Sequence, residues 1–536
     1  MRPQQRKVLL VLAVVALGAV LALPSWLWGH RWGYPIEYGY GVLALVACAR
    51  TRFEKAARRA FIALYAITLL FLVYDELFPA FFHRDPALVE DWKLAVNLYH
   101  FVREMKTWRW ALSLGAIVAG SALLFAALGR LLGALQARAR PTRRALSLAF
   151  AAWTAVAATS LLARGPLSLA SAKVAENYRA SKEAKRRLAA LDGDARDDRY
   201  RDLMKVRLAR RPNFYLLLIE AYGQVLATWD MVEPYRALMD RVRARLERAG
   251  YHARTAYSTA PIHGGRSWLS IATVQTGIAI DVPTTFAALE PVSRKVPTIA
   301  GFFHAQGYTT ASLEPGTNMK TGPDADLYPD DLRFDAAELR YTGPKWGYGT
   351  IPDRYAWDQF RARGLGAMRE PRYVFYMATS THYPWTAETI PSYDTPDWPP
   401  LPGMDAIGTD FRRWYMKSVD YEWHVLTEVL EADPSPDVVI VIVGDHQPRL
   451  ESNQPGEVTF ETPIHLLSRD ADFVDPLALL GFERGMFAEP GRIAPVTHAG
   501  LFSLVVSQLA ARYGTPETRA FGRYAPEGIS LAGLKP

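Results

Sequence analysis

Apolar residues follow two regimes along this chain. In the first third they gather into long stretches, Val8–Trp28, Ile36–Ala49, Arg59–Tyr74, Arg109–Leu128 and Ala145–Leu162, which invite comparison with the roughly 20 helical residues needed to cross a bilayer. Beyond Arg211 they fall into short runs. Strand-length runs at Phe214–Ile219, His252–Tyr257, Thr309–Leu313, Tyr373–Ala378, Val438–Val443 and Ile464–Leu467 are interleaved with helix-length stretches at Pro234–Ala249, Ser267–Thr276, Thr298–Gln306, Gly408–Glu431 and Gly500–Tyr513. Such alternation predicts a mostly parallel sheet with helices on both faces.

The pattern divides the 536 residues into an α-helical membrane domain of about five transmembrane helices over 1–170, a helical linker over 171–210, and an α/β domain over 211–536. The second stretch is short and carries Glu37, and the third is interrupted by Asp75 and Glu76. Tilted or buried helices are the alternative there. A signal peptide is the alternative for the first, but more spans follow and no small-residue cleavage site is clear. The linker, rich in Ala, Lys, Arg, Glu and Asp and broken at Asp192-Gly193-Asp194, reads as two solvated polar helices. Thr386–Pro402, rich in Pro and Trp, reads as a long surface loop.

Charge bears on orientation. The net charge of +8 is carried largely by basic clusters beside the apolar stretches, at Arg2, Arg6 and Lys7, at Arg50–Arg59, and at Arg138–Arg144. These fit cytoplasmic loops of a five-span protein with its N-terminus inside, so the α/β domain is expected in the periplasm or outside the cell. Without the second span it would be cytosolic. No basic patch interleaved with aromatics points to a nucleic acid partner. Cys48 is the only cysteine, so the outer domain holds together by burial without disulfides, and redox chemistry is not expected.

Candidate chemistry sits at strand ends. The β-branched run Val438–Val443, closed by Gly444, delivers Asp445-His446, and Phe214–Ile219 delivers Glu220. Open α/β sheets place ligands at the carboxyl edge of their strands, so two carboxylates and an imidazole can converge there on a cation. A turn cap at Asp445 and an arginine partner for Glu220 are the competing explanations. In Pro261–Ser270 the pair Gly264-Gly265 permits a tight turn, and Ser267 opens a helix as either N-cap or nucleophile. His263, His465 and His498 read as structural or solvated, with a supporting role behind the ligands left open.

The order Glu220, Ser267, Thr381-His382-Tyr-Pro-Trp385, Gly444-Asp445-His446, Thr462-Pro-Ile-His465 resembles the sulfatase-like branch of the alkaline phosphatase superfamily. Within it the chain looks most like lipoteichoic acid synthase and related phosphoglycerol transferases, whose multi-span anchor the N-terminal stretches also resemble. The resemblance implies an α/β alkaline-phosphatase-like domain. It implies Glu220, Asp445 and His446 as ligands of one divalent metal, Mn, Mg or Zn, with Ser267 both ligand and nucleophile. His382 would stand beside the transferred phosphate, and His382 and Arg266 would stabilise developing charge or protonate the leaving group. Lys320 is the nearest candidate for the family's substrate-holding base, although its surroundings depart from the family's Trp-Asn-Arg pattern. Trp346-Gly-Tyr-Gly349 and Asp353 lie where the family has a Gly-rich stretch before a helix, without an assigned role.

The implied partners are a phospholipid donor, an envelope glycan or lipid acceptor, and the bilayer. Two departures narrow the reaction. The segment Ser267-Trp-Leu-Ser-Ile271 lacks the Pro and Arg of formylglycine-type sulfatases, and neither the Thr nucleophile nor the disulfides of phosphoethanolamine transferases are present. A phosphoglycerol-like transferase is therefore expected. A phosphodiesterase or sulfuric ester hydrolase using water, and a non-catalytic envelope scaffold, remain as alternatives.

Overall fold

The computed structural model describes residues 15, 17–23, 34–82, 108–138, 142–162, 167–168, 171–175, 178–179, 182, 198–282, 285–286, 296–316, 328, 330–344, 351–386, 397–448, 450, 459–491 and 496–528. Lys320, Trp346–Gly349, most of Val8–Trp28 and much of Thr386–Pro402 lie outside them. The chain divides into two compact units, Met1–Glu183 and Ala184–Pro536.

The first unit contains helices α1 (Ile36–Ala47), α2 (Glu54–Phe82), α3 (Trp108–Arg138) and α4 (Arg143–Leu162). Among the described residues, three helical segments are long and apolar enough to cross a membrane, Glu54–Asp75, Ala119–Arg138 and Arg143–Leu162. The expectation of about five is therefore met only in part. The second expected span, α1, has 12 residues, a rise of about 18 Å against a hydrocarbon core of about 30 Å.

Two of the charges that interrupt the apolar stretches, Glu37 and Asp75, have partners from residues 171–173. Ser171 donates to Glu37 through its amide (2.9 Å) and its hydroxyl (2.6 Å), and Lys173 Nζ lies 2.6 Å from Asp75 Oδ2. Helix α1 meets α4 closely because Gly39 has no side chain. A Cβ there would come within 2.2 Å of the Trp153 ring, whose Nε1 donates to the Ile36 carbonyl at 3.1 Å.

The second unit is built on a nine-stranded mixed sheet. Its strands are β1 (Asn213–Ile219), β2 (His252–Thr259), β3 (Thr309–Glu314), β4 (Leu332–Asp335), β5 (Arg372–Met377), β6 (Val438–Gly444), β7 (Glu461–Ser468) and the short edges β8 (Glu483–Arg484) and β9 (Val496–Thr497). The order across the sheet is β8-β2-β7-β6-β1-β5-β3-β4, with β9 also paired to β2. The run β6-β1-β5-β3-β4 is parallel, whereas β7 is antiparallel to both β6 and β2. The expected mostly parallel sheet is thus mixed. The signal lay in β2, whose His-Ala-Arg-Thr-Ala-Tyr-Ser-Thr mixes polar and apolar residues instead of running apolar throughout as β6 does, as befits a strand paired antiparallel.

The central strands bury both faces, which is why they read as unbroken apolar runs. In β1, Tyr215, Leu217 and Ile219 enter one core with helices α5 (Val232–Arg248), α8 (Asp353–Arg363) and α9 (Asp410–Glu431). Phe214, Leu216 and Leu218 enter the other with α6 (Ser267–Thr276), α7 (Ile299–Ala305) and α10 (Leu501–Tyr513). Helix α8 and strand β4 had escaped the hydrophobic pattern. Helix α8 buries Ala356, Trp357 and Phe360 among polar residues, a stripe too narrow to stand out in so short an element.

Candidate metal and phosphoryl-transfer centre

Register brings the two acidic strand ends together. In the β1–β6 ladder Ile219 faces Gly444, so the next residues, Glu220 and Asp445, leave the sheet side by side. Because β2 runs in the same sense as β1 and β6, its carboxyl end also opens on this edge and leads into Pro261–Ser267. Strand β5 adds Thr379–His382.

Gly444 is required by a close backbone approach. A Cβ there would stand 1.8 Å from the Tyr222 carbonyl oxygen. Ala221, between Glu220 and Tyr222, has φ +51°, and two hydrogen bonds hold this turn: its amide donates to Asp445 Oδ1 at 2.7 Å, and Tyr415 donates to its carbonyl at 2.7 Å.

Glu220, Asp445 and His446 are buried, and one ligand atom from each lies within 4.8 Å of the others. The Glu220 Oε1 oxygen is 3.3 Å from His446 Nε2, and Asp445 Oδ2 is 3.5 Å from it. Asp445 Oδ1 accepts from two amides, Ala221 and His446, while its buried Oδ2 has no hydrogen-bond partner. A buried carboxylate oxygen without a donor is costly unless a cation answers it.

The electrostatics agree. Burial and the neighbouring Glu220 charge push Asp445 up to about 8. Burial opposes ionisation of Glu220 as well, but His446, His382 and the Ser267 hydroxyl hold it down at about 2. Burial favours neutral His446, yet the two carboxylates raise it to about 9. Against this the Gly265 amide donates to Nε2 at 2.9 Å, and Nδ1 donates to the Gln447 carbonyl at 2.9 Å. With Nδ1 bonded to the Gln447 carbonyl, Nε2 is the ring nitrogen that faces the two carboxylates. A divalent cation would answer the carboxylates in place of an imidazole proton, and the oxygen and nitrogen donor set suits Mn, Mg or Zn.

Ser267 is not a cap. It is the first residue of α6, the N-cap position belongs to Arg266 at φ +73°, and Ser267 Oγ donates instead to Glu220 Oε2 at 2.7 Å. The three residues before it, Gly264, Gly265 and Arg266, all have positive φ, a turn that bends the chain sharply into the helix. Arg266 pays for its place there, since a non-glycine residue at such φ costs on the order of 1 kcal/mol. Its side chain is buried within this turn.

His382 is partly exposed on the loop after β5, and Nδ1 donates to the Tyr383 carbonyl at 2.5 Å. Thr381 anchors that loop to the ligand strand, its hydroxyl donating to the Glu220 carbonyl at 2.6 Å. The structure therefore brings Glu220, Ser267, Asp445 and His446 together, with Arg266 and His382 adjoining.

Three supporting residues had no role assigned from the sequence. Ser270 donates to the Asp445 carbonyl at 2.6 Å, and buried Asp353 accepts from the Thr379 and Ser380 amides at 2.9 and 2.6 Å. The only sequence signal for Thr381 was its place directly before His382.

The remaining histidines are supports. Burial lowers His498 to about 4 and His465 to about 3, so both are neutral. His498 donates from Nε2 to the Gly444 carbonyl at 2.9 Å and accepts from Ser258 at Nδ1 at 2.8 Å, steadying the peptide that precedes Asp445. His263 packs edge-on against Phe460 and bridges through its backbone to Gln447.

No family profile matches this sequence, and no curated protein does. Solved structures do. The integral membrane lipooligosaccharide phosphoethanolamine transferase A from Neisseria meningitidis is 14% identical over 92% of this chain and 95% of its own, with a TM-score of 0.46. A lipoteichoic acid synthase from Listeria monocytogenes is 14% identical over 62% of this chain and 81% of its own, TM-score 0.39. A phosphoglycerol transferase from Streptococcus pyogenes, in complex with sn-glycerol-1-phosphate, is 12% identical over 63% of this chain and 90% of its own, TM-score 0.38. At these identities the likeness is one of fold alone.

Proposed function

We propose that the chain is a membrane-anchored, metal-dependent phosphotransferase that moves a phosphoglycerol-like group from a phospholipid to an envelope glycan or lipid through a phospho-Ser267 intermediate. Its catalytic unit would face the periplasm or the cell exterior. The observation that carries this reading is the Ser267 Oγ to Glu220 Oε2 hydrogen bond of 2.7 Å inside a buried cluster where Asp445 Oδ2 has no donor.

Glu220, Asp445, His446 and Ser267 would hold the ion. When bound, it would lower the pKa of the serine hydroxyl and draw charge from the phosphoryl oxygens. Glu220 already holds the hydroxyl proton, which orients Oγ. In the first half-reaction an Oγ–P bond forms as the bond from phosphorus to the diacylglycerol oxygen breaks. His382 would give that departing oxygen its proton, and Arg266 would balance charge on phosphorus. In the second half-reaction an acceptor hydroxyl would give its proton to His382 as its oxygen bonds to phosphorus, the Oγ–P bond would break, and Ser267 would take back its proton.

The test uses the purified full chain with phosphatidylglycerol and Mn²⁺. Diacylglycerol should appear, a phosphoglycerol-bearing Ser267 peptide should be detectable by mass spectrometry, and Ser267→Ala should lower turnover by roughly a thousandfold or more. Undiminished turnover in Ser267→Ala would remove the serine from the mechanism. Turnover without an acceptor hydroxyl other than water would identify a phosphodiesterase instead.

A further inference from the structure

Among the described residues of the second unit four large hydrophobic side chains stand exposed: Trp229 (39%), Tyr383 (44%), Phe411 (38%) and Leu479 (90%). The first three form one patch. Tyr383 packs against Phe411 with ring centroids 6.0 Å apart, and Arg412, next in the chain, places its guanidinium 5.9 Å from the Trp229 ring centre. Below them Trp385 meets both Tyr383 (5.6 Å) and Phe411 (4.9 Å). The patch adjoins the catalytic loop, because Tyr383 follows His382 and Trp385 Nε1 donates to the Thr381 carbonyl at 2.8 Å. Trp229 is displayed at a cost, its φ being +51°.

We propose that Trp229, Tyr383 and Phe411 form a face that seats in the interfacial layer of a phospholipid bilayer, next to the mouth of the phosphoryl-transfer centre. Contiguous exposed apolar side chains on a soluble surface mark an interaction site, and aromatic rings beside arginines are the side chains that membrane interfaces favour. A glycan occupant fits less well. The rings meet edge to face, at 89° for Tyr383–Trp385 and 67° for Trp385–Phe411. The charged groups beside them pair with one another, Arg412 with Asp230 at 2.7 Å and Arg413 with Asp410 at 2.8 Å, instead of being offered to hydroxyls. A lipid occupant is also continuous with the rest of the chain, which carries three helices of membrane-crossing length and composition. This proposal rests on the membrane reading under Proposed function but not on its chemistry.

The experiment exploits the single cysteine. In a Cys48→Ala background the full chain is made as Tyr383→Cys, Phe411→Cys and Leu479→Cys, spin-labelled, and placed in nanodiscs of phosphatidylcholine with phosphatidylglycerol. Oxygen and a water-soluble nickel chelate then compete to relax each label. Labels at 383 and 411 should show a severalfold higher oxygen-to-nickel ratio than the label at 479, and should lose the excess in detergent-free solution with the lipid replaced by amphipathic polymer. An aqueous reading at 383 and 411 matching that at 479 overturns the proposal. Labels shielded from both relaxants would also overturn it, identifying a protein–protein contact. None of these readings requires turnover, so they stand apart from the outcome of the diacylglycerol assay.

Discussion

Gly444 shows how a single residue sets the spacing of the candidate ligands. With the Tyr222 carbonyl 1.8 Å from any Cβ at this position, Gly444→Ala must push β6 away from the turn after β1 and carry Asp445 with it. Overpacking of backbone against backbone should cost roughly 3 kcal/mol or more. The variant should therefore show both a lower urea midpoint and weaker binding of Mn²⁺ by calorimetry, whereas an unchanged midpoint would show that the turn yields freely. The sequence displayed the Gly-Asp-His string but not the reason for its glycine, since the crowding atom lies more than 200 residues away in the chain. Ser267 was ambiguous for a similar reason. A serine at a helix start reads on its own first as a cap until the distance to Glu220 is known, and only the pairing of β1 with β6 and β2 with β7 supplies it.

At the level of elements, the loop after β5 depends on the first residue of α8. Asp353 is fully buried and binds the amides of Thr379 and Ser380, and its own amide donates to Ser380 Oγ at 3.1 Å. The loop is then fixed at its next residue by the Thr381 hydroxyl on the Glu220 carbonyl. Asp353→Asn keeps the shape and can still offer one oxygen to both amides, but it removes the charge that strengthens those two bonds, a loss of about 1 kcal/mol. Turnover should fall about tenfold or more as His382 loses its fixed position, while Mn²⁺ affinity stays the same. Equal losses in metal affinity and turnover would show that Asp353 supports the ligands rather than the loop. Helix α8 left no mark in the hydrophobic pattern, and only the family resemblance pointed to a helix near Asp353. Its signal is one buried aspartate, and no periodicity records a partner 26 residues on. The long central strands, by contrast, were legible almost to the residue, since burial on both faces writes itself directly into composition.

Across the whole α/β unit, stability against acid follows from two histidines kept neutral within the fold. His465 donates through Nδ1 to Thr255 Oγ1 at 2.7 Å, because that hydroxyl is itself committed to the Gly485 carbonyl at 2.7 Å. Its Nε2 therefore accepts from Tyr222, 3.0 Å away, and no site remains for a second proton. Burial lowers its pKa from 6.5 to about 3, as it lowers that of His498 to about 4. A histidine whose folded pKa lies below the unfolded value binds fewer protons when folded, so its contribution is present above the unfolded pKa and is lost as pH falls through the window between about 6.5 and 3. Between about pH 7 and pH 5 the loss attributable to His465 alone is about 2 kcal/mol. The urea midpoint of the wild type should drop over that interval, and His465→Gln, which cannot titrate, should drop by correspondingly less even if it begins lower at neutral pH. If both proteins decline in parallel, His465 takes up its proton within the fold and the directional chain from Tyr222 to Gly485 does not hold. His446 acts with the opposite sign. Its pKa is raised to about 9 by the carboxylates it faces, so its stabilising effect is complete below about 6.5 and is lost as pH rises from there through about 9. The comparison of wild type with His465→Gln cancels that contribution, which leaves the acid limb as a measure of how firmly the core behind the metal ligands excludes charge.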